Sequence, residues 1–332
     1  MRTLILLAAI LVSAMVAGAT GSPTGANAIE ITEWPVPWKN TRPRDPYMGV
    51  GDQLWFVGQR DDYLGLLHPG SGEMSRVNLP DGTGPHHLIV ESDGTLWVAG
   101  NALGYIGHFN PVTGELKRIP MPDPEALDPH TLVFGNAGTI WFTLQGSGMV
   151  GRLNIASEKI DLIRVPGRTP RPYGITIAPD GHPWIALFGT NKLATVDPAT
   201  LALSTVDLPR PSARPRRLEA TSDGVLWYVD YRDGYLGRLD PRGGDIREWR
   251  MPSGASSRPY GMAVDSKDRL WIVETGPNPN RLVGFDTRAL EFIDGVDIPS
   301  GGGTVRHMMY HAPSNSVWFG TDANTIGRAK LD

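Results

Sequence analysis

The sequence predicts an all-β fold, a seven-bladed β-propeller of four-stranded antiparallel blades, and three observations carry that prediction. Tryptophans recur at positions 55, 97, 141, 184, 227, 271 and 318, at intervals of 42, 44, 43, 43, 44 and 47 residues, and a period near 43 fits four strands per repeat. Forty glycines and 29 prolines among 332 residues punctuate the chain, as short strands joined by tight turns require and helices do not tolerate. The last repeat stops after three strands, at TIGRAKLD, while IEITEWPVP near the start reads like the fourth strands LKRIPMP and IREWRMP. Pairing that N-terminal strand into the last blade removes the exposed edges an open array would leave.

The elements follow in order. Residues 1–28 hold Arg2, an apolar run from Leu4 to about Val16 and the small-residue site Ala26-Asn27-Ala28. That is the pattern of a secretory signal peptide, and the run is too short to span a bilayer. Residues 29–332 are read as one propeller domain, placed in a secreted or periplasmic compartment. Within a repeat the strands are legible directly: YGITIAP, HPWIALF, KLATVD and ALSTVDLP in the fourth, YGMAVDS, RLWIVET, RLVGFDT and FIDGVDIP in the sixth. Turn residues lie where hairpins need them. The recurring tryptophans are assigned to packing between neighbouring blades.

Composition excludes several classes. The net charge of −4, with no element that gathers Lys and Arg, lacks the footprint of a nucleic-acid binder. The absence of cysteine removes disulfides, thiolate ligands and a cysteine nucleophile. No serine occupies a Gly-x-Ser-x-Gly elbow, and EF-hand loops, His-Glu-x-x-His helices and phosphate loops are missing. The expected partner is a small-molecule or peptide-like ligand, and the expected state is a monomer.

Function is then sought where the repeat is regular and the chemistry varies. Eleven residues before the tryptophan stand His86, His130, Tyr173, Arg216, Tyr260 and His307, and in the first blade Tyr47 is assigned to this position, eight before Trp55. The position opens the innermost strand of each blade, so these seven side chains are expected to ring one mouth of the channel. Symmetric pairing about the Asp-Gly turn sets His307 opposite Asp322, and Tyr260 beside Glu274 and Thr275. A histidine, a carboxylate and tyrosines at one mouth suit metal binding or proton transfer; a wet channel lining that only fills space is the plainer alternative. His87, pointing away from His86 by strand alternation, is held in reserve.

The blade wording, in RPYGITIAPDGHPWIAL, GTIWFTLQGSGMVGRLN, GVLWYVDYRDGYLGRLDPRGGDIREWRMP and SVWFGTDANTIGR, resembles the virginiamycin B lyase family over the whole of residues 29–332. The resemblance implies a seven-bladed propeller that opens the lactone of a cyclic depsipeptide by elimination. It implies a magnesium ion polarising the ester carbonyl and a histidine as general base. On this chain the resemblance places the base at His307, the substrate-positioning tyrosine at Tyr47 and one metal-binding carboxylate at Asp322. Tyr260, His86, His130, Tyr173 and Arg216 are the remaining substrate-binding candidates. The two other metal ligands of the family fall on Tyr260 and Val305, which supply no comparable donors. Two rival readings stand beside the lyase: a non-catalytic propeller that binds a ligand or protein at the same mouth, and a relocated metal centre built from His86, His130 and His307.

Overall fold

The computed structural model describes residues 29–332, so the signal-peptide expectation for residues 1–28 lies outside the described residues. Seven antiparallel sheets of four strands are arranged as blades around a central channel. The innermost strands are Pro43–Met48, Pro85–Val90, Pro129–Phe134, Pro172–Ile177, Pro215–Ala220, Pro259–Val264 and Val305–His311. Each packs against the inner strands of the blades before and after it, and Pro43–Met48 touches Val305–His311, which closes the ring. Six of the seven open on proline, a residue tolerated at the first position of a strand because no ladder bond there needs its missing N–H.

Closure follows the predicted route. Strand Glu30–Pro35 pairs antiparallel with Thr325–Lys330, from Glu30 opposite Lys330 to Pro35 opposite Thr325. Trp34 stacks on Trp318 with ring centroids 5.5 Å apart. Glu33 accepts hydrogen bonds from the Ser300 amide at 2.7 Å and from the Ser300 and Thr325 hydroxyls at 2.6 Å. The closing strand is thus tied to the end of the chain and to the preceding blade.

Apolar side chains fill seven clusters, one at each junction between blades, and each repeat tryptophan packs in the cluster it shares with the following blade. The glycine of the GRL wording has a packing reason: a Cβ at Gly151 would stand 2.1 Å from the Phe142 ring on the paired strand. Among the described residues no helix is long and apolar enough to cross a membrane.

Candidate functional site

Six inner strands carry a bulge at their second and third residues, where pairing with the neighbouring strand shifts register; in the first blade the shift falls one place later, between Arg44 and Tyr47. A bulge breaks strict alternation, so two consecutive side chains per blade turn toward the channel region, and the site is built in layers from the strand starts.

The second residues form the upper layer: Arg44, His86, His130, Tyr173, Arg216, Tyr260 and Arg306. Five of the expected ring members are here, but Tyr47 and His307 are not. Blade 1 keeps the ordinary hairpin length, with Tyr47 opposite Trp55, so Arg44 takes the ring position. Blade 7 has a hairpin one residue longer, which accommodates the short turn Ala312–Ser314 and moves His307 one place deeper, leaving Arg306 in the ring.

This layer is packed shut rather than open. Arg44, His86, His130, Tyr173 and Tyr260 are 3, 6, 2, 4 and 1% exposed. The His86 and His130 rings lie 3.5 Å apart, His130 is 4.3 Å from the Tyr173 ring, and the Tyr173 and Tyr260 hydroxyls are hydrogen-bonded to each other. The Arg216 guanidinium fills a cage of four rings, 3.7 Å from Tyr260, 4.3 Å from Tyr231, 4.6 Å from Phe188 and 4.9 Å from Tyr173. Burial opposes ionisation of Tyr173, yet Arg216, Arg44 and Arg217 bring its phenol down to about 8, while burial and the neighbouring Tyr173 hold Tyr260 up.

The third residues form the next layer: Asp45, His87, Thr131, Gly174, Arg217, Gly261 and His307. Glycine is required at 174, where a Cβ would meet the Arg216 carbonyl oxygen at 2.8 Å. Asp45 adopts φ +50° and is 1% exposed, a left-handed conformation that costs a non-glycine residue about 1 kcal/mol. Arg44 Nε donates to its Oδ1 at 3.0 Å, and Arg217 Nη2 lies 4.0 Å from Oδ2. Burial alone would raise the Asp45 carboxyl; Arg44, His307, His87 and Arg217 overcome this and hold it well below the usual range.

Arg217 also donates to Thr131 Oγ1 and to the Arg306 carbonyl, both at 3.1 Å. His87 and His307 meet Nε2 to Nε2 at 3.1 Å. His87, the reserve candidate, therefore contacts the predicted base directly. Burial first, and then Arg44 and Arg217, depress all four channel histidines: His87 to about 4, and His86, His130 and His307 well below 6.5.

Below these layers the channel opens into a cavity of about 360 Å³, in the half toward the first hairpin turns. His87 and His307 reach it from above. Its wall is the fifth residue of every inner strand, the one opposite the repeat tryptophan: Tyr47, Ile89, Val133, Thr176, Glu219, Ala263 and Met309. Tyr47 thus faces the cavity. Glu219 is the one acid in this ring; burial raises its carboxyl to about 7, against the pull of Arg217 and the Thr176 hydroxyl.

Asp322 is not opposite His307. Arg306 grips it at both oxygens, with Nη2 to Oδ2 at 2.6 Å, and Arg42 Nε lies 3.7 Å from Oδ1. Val305 is fully buried and apolar, and the Tyr260 hydroxyl is committed to Tyr173 under Arg216. The residues that would surround the implied magnesium ion therefore do not fit it: the one carboxylate is neutralised by arginine, and no second oxygen ligand stands beside it. Among the described residues no group of three or more His, Asp or Glu side chains is placed to hold a metal ion, which covers the trio His86, His130 and His307 as well. Asp230 and Glu274 serve the scaffold, accepting the Arg214 amide at 2.9 Å and the Ser253 amide at 2.8 Å.

Sequence reasoning missed Arg44, Asp45, Arg217 and Glu219. Counting from the proline that starts six of the seven inner strands, instead of back from the tryptophan, puts them in register with their neighbours.

Comparison with known proteins agrees with this architecture. A streptogramin B lyase structure superposes with a TM-score of 0.82 at 22% identity, over 92% of this chain and 98% of that one. Virginiamycin B lyase from Staphylococcus aureus gives 0.82 at 21%, over 92% and 100%. YCF48 bound to D1 peptide gives 0.70 at 15%, over 92% and 96%. At these identities the likeness is one of fold. No curated protein matches the chain. The profile of one family matches residues 9–195 and 158–332, together almost the whole sequence, and the chain belongs to that family, the virginiamycin B lyase family.

Proposed function

We propose that this protein is an exported, ligand-binding member of the family that takes a small, largely apolar molecule into the lower channel cavity and does not perform metal-assisted elimination. The observation that carries the reading is the cavity itself. It has about 360 Å³ of space, apolar walls and a few convergent polar groups, Tyr47, Thr176, Glu219, His87 and His307. That is the size and character of a small-molecule site. The Arg306–Asp322 ion pair argues against magnesium, since a cation there would have to displace two guanidinium bonds. Export rests on the sequence of residues 1–28.

The test is mass spectrometry of a streptogramin B depsipeptide incubated with the protein, with magnesium and with EDTA, alongside thermal melts in both. We expect intact substrate and superimposable melts, because an ion bound only by the folded state would raise the melting temperature. A ring-opened product of unchanged mass, lost with EDTA, would overturn the proposal.

One observation favours the lyase reading. Burial and cationic neighbours keep the His307 imidazole neutral at physiological pH, as a general base must be. Its Nε2, however, is engaged by His87. If turnover is seen, His307→Ala must abolish it.

A further inference from the structure

We propose that the channel cavity selects a ligand with a positively charged amine on an apolar body, and that the carboxylate of Glu219 is the group that recognises the amine. The proposal rests on reading the cavity as a binding site. It names the chemical class the site takes.

The argument starts from symmetry. Seven blades each contribute the residue opposite their tryptophan, and six of these are neutral: Tyr47, Ile89, Val133, Thr176, Ala263 and Met309. An acid in the seventh place breaks a lining that the fold otherwise keeps uncharged. Scaffold acids elsewhere in this propeller are fully engaged: Glu274 accepts from the amide and hydroxyl of Ser253, and Asp265 from Arg269 and Trp271. Glu219 has one partner, the Thr176 hydroxyl, at 3.5 Å. Among the described residues no Lys, Arg or His lies within ion-pair distance of it. A carboxylate turned into a low-polarity cavity without a cation is costly, and burial accordingly raises Glu219 to about 7. No packing role needs the charge, since its register partner Trp227 is satisfied by Thr221.

An ammonium group supplies what is missing. It brings the countercharge, and its three N–H donors suit the carboxylate oxygens and the adjacent hydroxyl. Ile89, Val133, Ala263 and Met309 offer the apolar surface for the rest of the molecule. The first hairpin turns at this end of the channel carry the exposed acids Asp52, Asp93, Asp180 and Asp223, against Lys267 and Arg269 in the sixth blade, a balance of charge that favours cations over anions.

The experiment is isothermal titration calorimetry of the intact protein with three probes of one shape: phenethylamine, phenethyl alcohol and 3-phenylpropionate. The amine is expected to bind at least about tenfold tighter than the alcohol, as a charge-assisted bond does, and the acid not at all. Glu219→Gln, which keeps shape and folding, is expected to erase the amine's advantage while leaving the alcohol unchanged. Equal binding of amine and alcohol, insensitive to Glu219→Gln, overturns the role of Glu219 and leaves the cavity reading standing. Preferred binding of the acid overturns the proposal in the same way. If none of the three probes binds, both the proposal and the cavity reading fail.

Discussion

The Nε2 atoms of His87 and His307 lie 3.1 Å apart, and the backbone decides which one carries the proton. The Leu132 amide donates to His87 Nδ1 at 3.4 Å, so neutral His87 holds its proton on Nε2 and gives it to His307 Nε2. His307 then carries its own proton on Nδ1, which is buried without a protein partner. Protonating His307 would set its Nε2–H against that of His87, and protonating His87 would set an Nδ1–H against the Leu132 amide, so either charge faces a donor.

Acid should therefore destabilise the propeller through its channel. His86, His87, His130 and His307 all have folded pKa values depressed below 6.5. Above about pH 6.5 both folded and unfolded chains hold neutral imidazoles and the stability is complete. As the pH falls toward about 4, the unfolded chain takes up protons that the folded one refuses, and stability is lost. The expected cost from about pH 7 to about pH 5 is about 1–2 kcal/mol for each histidine, read from urea melts. His87→Gln should flatten that dependence, and equal stability at both pH values would contradict it.

Glu219 works in the opposite direction. Its folded pKa, about 7, stands above the ordinary 4.5, so its contribution is complete at low pH and is lost as the pH rises through 7. Glu219→Gln should stabilise the protein by about 1–2 kcal/mol above about pH 8 and have no effect near pH 4. Melts of the variant and the parent across that range check both the sign and the window. A variant less stable than the parent at high pH would mean that the carboxylate already has a partner.

Arg216 closes the upper mouth by occupying its own aromatic cage. A desolvated cation over aromatic faces contributes about 2 kcal/mol. Arg216→Met keeps much of the volume and loses the charge, so it should destabilise by about that amount. It should also raise the Tyr173 phenol, because Arg216 is the largest of the influences that lower it. Ultraviolet titration of tyrosine ionisation reads the second effect directly. An unchanged titration would show that Arg44 and Arg217 suffice.

Much of the fold was legible because packing repeats. Each tryptophan fills the same junction, so seven of them count the blades, and the strand-like IEITEWPVP had one unpaired edge to join. The site was harder to read because it depends on bulges and hairpin lengths, which leave no periodic trace. Counting eleven residues back from Trp318 reaches the ring only if the seventh hairpin matches the others; it is one residue longer, so the count lands on His307, one place deeper than Arg306. Tyr47 belongs in the ring only if the first hairpin is shorter than the others, and its length is ordinary. Alternation failed at His87 because the bulge turns two successive side chains toward the channel. Glu219 does carry a signal in the sequence, since it is charged at a position where every other blade is neutral.

The closing strand should bear a disproportionate share of stability. Glu30–Pro35 belongs to the last blade although it is first among the described strands, so losing it exposes the whole edge of Thr325–Lys330 and uncovers Trp318. Trp34 is half-buried, stacked on Trp318 with Arg328 5.4 Å from its centre. Trp34→Ala is expected to cost about 2 kcal/mol, less than for a fully buried aromatic because part of the ring is already in water. Glu33→Ala removes three hydrogen bonds that tie the strand to Ser300 and Thr325, and should cost about 1–3 kcal/mol. Because Glu33 and Trp34 hold the same strand, their effects should be non-additive: once one variant frees the strand, the second has less left to lose. A double-mutant cycle by urea denaturation measures this coupling. Strict additivity would mean that the strand stays docked without either anchor and that backbone pairing alone closes the ring.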